Sequence, residues 1–130
     1  MFDFVGLVAA ILVTIGVHHL GASLTDALYP IREGLDPHDA AAVARHLIDA
    51  PPLALLSVML TKGAAAFAGG AVVGKIATQR ISTLAGLIGL GVLLTTIPPL
   101  LAVPHPVWFM VGCPLLCVPA AWRGARWLAN

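Results

Sequence analysis

Charge is what this sequence has least of. Seven of its 130 residues are Lys or Arg and six are Asp or Glu, a charged share of 10% against about a quarter in soluble domains. So little charge beside 59% apolar residues argues against a soluble globular domain. A net charge of +1 with no basic stripe leaves no electrostatic footprint for nucleic acid. Two cysteines, Cys113 and Cys117, are too few for a disulfide framework. The opening Met1-Phe2-Asp3-Phe4 has no Lys or Arg, so a cleaved signal peptide is not expected and the first helix is read as an anchor. No Ser-His-Asp set, phosphate loop or intramembrane carboxylate pair is present, so no catalytic residue, cofactor or resident metal is assigned and the chain is not read as an enzyme.

What is present is long apolar sequence, with a mean hydropathy of +0.96. It predicts one integral membrane domain over 1–130, an all-α membrane protein built as a four-transmembrane-helix up-down bundle. The spans are expected over about 4–28, 53–77, 81–101 and 107–122. Pro51-Pro52, Thr78-Gln79-Arg80 and Pro104-His105-Pro106 supply the breaks. The double proline Pro98-Pro99 is expected to loosen the third span, and Pro114 and Pro119 to interrupt a short fourth one, which admits a re-entrant segment.

Four of the six acidic residues, Glu33, Asp36, Asp39 and Asp49, fall between Ile31 and Ala50. This aqueous segment predicts a short extracytoplasmic amphipathic helix over about 37–48, capped by Asp36 with Pro37 in its first turn. Its His38, Asp39, His46 and Asp49 have metal-ligand chemistry, but a solvated helix face has the same composition. Lys75, Arg80, Arg123 and Arg126 on one side against Arg32 and Arg45 on the other place the termini in the cytoplasm by the positive-inside rule.

The chain is organised around 60–75, LTKGAAAFAGGAVVGK. Ala66, Gly70 and Gly74 recur every four residues and form a small-residue ridge for close helix packing. Lys62 stands one turn earlier, where a charge costs about 2.5–3.5 kcal/mol at the bilayer centre. Counting from the outer helix ends at about 1.5 Å per residue, His18 and His19 lie about 14–15 Å deep and Lys62 about 13 Å. Thr95 and Thr96 lie about 8–9 Å deep on the same scale. His18, His19, Lys62, Thr95 and Thr96 are therefore the candidate lining of an outward-facing polar cavity. Of two adjacent histidines, one is expected to look inward. Asp26, His105 and Trp108 are the candidate outer-loop residues. Cys113 and Cys117 share a helix face, which admits soft-metal or thiol-redox chemistry as a third, weaker reading.

Tyr29-Pro30-x3-Gly34-Leu35-Asp36 and Pro104-His105-Pro106-Val107-Trp108-Phe109 resemble a family of small bacterial four-helix membrane proteins that carries no assigned activity. The resemblance implies a four-helix architecture. Family members carry a glutamate and a Gly-His late in the first helix, where this chain has Ala22, Thr25 and Asp26. The functions these features suggest are a homo-oligomeric transporter or channel-like protein of the bacterial inner membrane or, alternatively, a non-catalytic accessory subunit docking through the small-residue ridge. The lipid bilayer and a second copy or larger complex are the expected partners.

Overall fold

A computed structural model describes residues 1–31 and 33–129. Arg32, counted above for orientation, lies outside the described residues. The described chain is all-helical: α1 (Phe2–Leu28), α2 (Ala40–Asp49), α3 (Pro52–Ile76), α4 (Ile81–Ala102) and α5 (Val107–Leu128). Four of these, α1, α3, α4 and α5, are long and apolar enough to cross a membrane. Each forms because an apolar run of helix-compatible residues lies between breakers, and in lipid a helix satisfies its own backbone.

The helix ends show where local chemistry prevailed. Pro52 occupies the first turn of α3, where a missing N–H costs nothing. α2 starts later than expected: Asp39, not Asp36, is its N-cap, accepting from Ala41 N–H and Ala42 N–H at 3.0 and 3.1 Å. Asp36 instead accepts from His38 N–H at 2.8 Å and holds the turn before the helix. Gly34 has φ +84, a left-handed conformation that its missing Cβ makes cheap. α5 is a correction as well. It runs unbroken through Pro114 and Pro119 to Leu128, giving about 33 Å of helix, long enough for a full span. α4 likewise continues through Pro98 and Pro99 to Ala102; prolines are tolerated within membrane helices.

α3 is the central helix, packed against α5 and α1 and more lightly against α4. On its α5 side, Gly70 and Gly74 lie against the carbonyls of Ala121 and Ala125, and Gly124 of α5 lies against the Phe67 carbonyl. No side chain fits between backbones this close. On its α1 side, Gly6 meets Ile76 and Ala77, Gly21 meets Thr61, and Gly69 meets Ala10 and Thr14. The main core joins Ala10, Ala66, Val73, Ala85, Ile88, Cys117 and Ala121. A second cluster of Leu55, Leu100, Phe109 and Cys113 is covered by Leu47 of α2. Of the four long helices α1 contributes least, with Gly6 and Ala10 as its buried residues.

Candidate functional site

A cleft of about 690 Å³ opens between α1 and α4, with α3 as its floor. It exists because α1 is held by small residues on α3 and meets α4 sparingly. Its polar lining is Thr14, His18 and His19 from α1, Lys62 from α3 and Thr95 from α4. The histidine rings stand 5.8 Å apart, tilted by 58°. Four of the five expected residues thus meet in one place. Both histidines line the cleft, not one, although adjacent side chains leave α1 about 100° apart.

Thr96 does not belong to this lining. It is buried, and its hydroxyl donates to the Val92 carbonyl at 2.7 Å. Thr95 lies in the cleft but donates to the same carbonyl at 2.8 Å. Thr14 donates to the Ala10 carbonyl at 2.7 Å. Both hydroxyl protons in the cleft are therefore committed to helix backbone. The remaining donors are the Lys62 amine and the two imidazoles. Pro99 also lines the cleft, and having no N–H it leaves the Thr95 carbonyl without its usual helical donor.

The rest of the wall is apolar. Leu7, Ile11 and Ile15 extend it along α1, and Leu87, Ile88 and Gly91 along α4. No Asp or Glu lines the cleft among the described residues. A lysine with two histidines, no carboxylate and an apolar surround is chemistry suited to an anion: Coulomb attraction strengthens as water is excluded, and N–H donors satisfy an anionic oxygen.

Thr14 and the apolar half of the cleft escaped the sequence reading. A groove-lining leucine or isoleucine has the same sequence signature as a lipid-facing one, and Thr14 lies outside the polar layer marked by the histidines. The other expected residues lie outside the cleft. Ala66, Gly70 and Gly74 are buried under α5 and its neighbours, so the ridge is occupied within the chain. Asp26 is exposed near the end of α1. His105 closes the α4–α5 turn, with Nδ1 2.7 Å from the Val103 carbonyl and its ring stacked on Phe109 at 5.3 Å. Trp108 packs edge-on against Phe109. Both thiols are buried; that of Cys117 donates to the Cys113 carbonyl at 3.3 Å. Among the described residues no three His, Cys, Asp or Glu side chains group as metal ligands, and Asp39 is engaged as a helix cap.

No protein-family model, curated protein or solved structure matches the chain.

Proposed function

We propose that the protein is a small transporter or channel-like protein of the bacterial inner membrane that handles an anionic species at Lys62, His18 and His19. The observation that carries this reading is the convergence of those three side chains on one carboxylate-free cleft. Intramembrane ionisable residues are costly, so a site that gathers three of them in one cavity is a functional hypothesis by default.

In this reading the four long helices cross the membrane up and down, with both termini in the cytoplasm and α2 on the outer face. Contacts between helix ends support that order. The Asp3 carboxylate accepts from Thr78 N–H and Gln79 N–H, and Trp122 Nε1 donates to the Ser82 carbonyl at 3.1 Å. The start of α1, the α3–α4 turn and the second half of α5 therefore gather at one end. Lys75, Arg80, Arg123 and Arg126 lie near that end in sequence, as positive-inside placement asks. Self-association would use the apolar flank of α1, where Phe4, Leu12 and Leu20 are all more than 60% exposed.

That same flank is the specific support for the second reading, an accessory subunit of a larger membrane complex. The Ala66-Gly70-Gly74 ridge gives it none, since α5 already covers it.

The test is anion flux from liposomes containing the purified protein, loaded in turn with chloride, nitrate and phosphate. Flux above protein-free liposomes that disappears in Lys62→Met, with helix content and monodispersity retained, is the expected result. Equal flux from wild type and Lys62→Met would remove the cleft from the account and leave the accessory subunit in front.

A further inference from the structure

The cleft has two chemically distinct ends. Lys62, His18 and His19 form one; Leu7, Ile11, Leu87 and Ile88 form the other. From His18 to Leu7 the groove runs eleven residues along α1, about 16 Å, close to half of the roughly 30 Å hydrocarbon core. Between these ends the wall is hollowed at Gly91, where a Cβ would meet nothing within 4 Å. The hydroxyls of Thr14 and Thr95 donate to their own helices, so this stretch has no free hydroxyl proton with which to hold a hydrated ion.

A small inorganic anion would use the Lys62 end and leave the groove unexplained. A cationic or neutral amphiphile would fill the groove and leave three N–H donors without an acceptor. We infer that the ligand is an amphiphile with one anionic head, held by Lys62 and the two histidines, and one hydrocarbon chain lying along the α1–α4 groove. The inference rests on the anion reading above and adds the substrate class.

Depth separates such a ligand from ordinary annular lipid. Lys62 and His18 are each ten residues from the nearer ends of α3 and α1, about 15 Å along the helix. The head therefore sits well below the headgroup layer, drawn into the membrane by Lys62 and the two imidazole donors. The groove opens sideways between α1 and α4, so the chain enters from lipid without leaving an apolar environment. Charge complementarity at the head and apolar burial along the chain are both needed.

Native mass spectrometry of the full chain in an uncharged maltoside detergent tests this directly, counting retained molecules of dodecyl phosphate, inorganic phosphate or dodecyltrimethylammonium. The wild-type protein is expected to retain one dodecyl phosphate in preference to either of the others. Lys62→Met should weaken that retention roughly tenfold or more, the cost of a lost charge-assisted bond. Gly91→Leu, whose Cβ meets nothing within 4 Å and whose added bulk takes up groove volume, should weaken dodecyl phosphate retention and leave inorganic phosphate unaffected. Inorganic phosphate held as well as dodecyl phosphate would overturn the amphiphile and leave the anion site standing. Equal retention of dodecyltrimethylammonium, or no loss in Lys62→Met, would overturn both.

Discussion

Asp3 and Thr78 are joined across 75 positions of sequence: the Asp3 carboxylate accepts the Thr78 backbone N–H at 2.8 Å and the Gln79 N–H at 3.2 Å. The first turn of α1 thereby caps the turn between α3 and α4. α1 buries little against the bundle, so this tie and the Gly6, Gly21 and Gly69 contacts hold one wall of the cleft. Asp3→Ala should lower the unfolding temperature in detergent and increase hydrogen exchange at Thr78 and Gln79, while Asp3→Asn, whose side-chain oxygen still accepts, should lose less. Unchanged exchange in Asp3→Ala would show that the turn holds without α1.

The α3–α5 interface should tolerate no added methyl at its closest points. Gly70→Ala or Gly124→Ala places a Cβ against a backbone carbonyl, and overpacking of this kind costs about 1–3 kcal/mol. Gly16→Ala meets nothing within 4 Å and should leave stability unchanged or raise it, because alanine is the better helix former. Chemical unfolding of the three variants in detergent checks the contrast. Equal stability in all three would remove the close-packed interface.

The thiols should behave as core atoms. Cys113 and Cys117 are at most 1% exposed, so a maleimide should label them slowly in the folded protein and fast once it is unfolded. Replacing both with alanine should cost about 1 kcal/mol per small void and leave anion flux intact. Loss of flux in a variant that still folds would bring the thiols into the chemistry and revive the redox reading.

Much of the fold can be read in the residues, for physical reasons. Apolar runs long enough to span lipid leave few alternatives to helices, and Pro51-Pro52, Thr78–Arg80 and Pro104–Pro106 mark where the runs break. The errors fall where two signals compete. Asp36-Pro37 and Asp39 both have capping chemistry, and the cap formed at Asp39. Pro114 and Pro119 would break a helix in water, but between packed membrane helices their lost bonds are tolerated, so α5 runs its full length.

The cleft is legible in part. Depth in the outer half of the span, about 8–15 Å along each helix, groups His18, His19, Lys62 and Thr95. Depth says nothing of direction around a helix, which is why Thr96, one residue from Thr95, shares that depth although it is buried and bonded to Val92. The groove along Leu7, Ile11 and Leu87 depends on the spacing of α1 from α4, and that spacing is set by glycines on other faces. No pattern within either helix encodes it.

The most direct test of the central claim is the distance between the Lys62 side chain and a bound anionic head. Lys62 and Lys75 are the two lysines of the chain, so Lys75→Arg leaves Lys62 as the sole source of a lysine ¹⁵Nζ signal. Solid-state NMR recoupling between that nitrogen and the ³¹P of dodecyl phosphate, in bilayers of a lipid without phosphorus, then reports the contact alone. The account predicts dephasing that corresponds to an ion pair, with nitrogen and oxygen within about 4 Å. Absence of dephasing while dodecyl phosphate is bound would contradict it, placing the anion elsewhere and Lys62 outside the site.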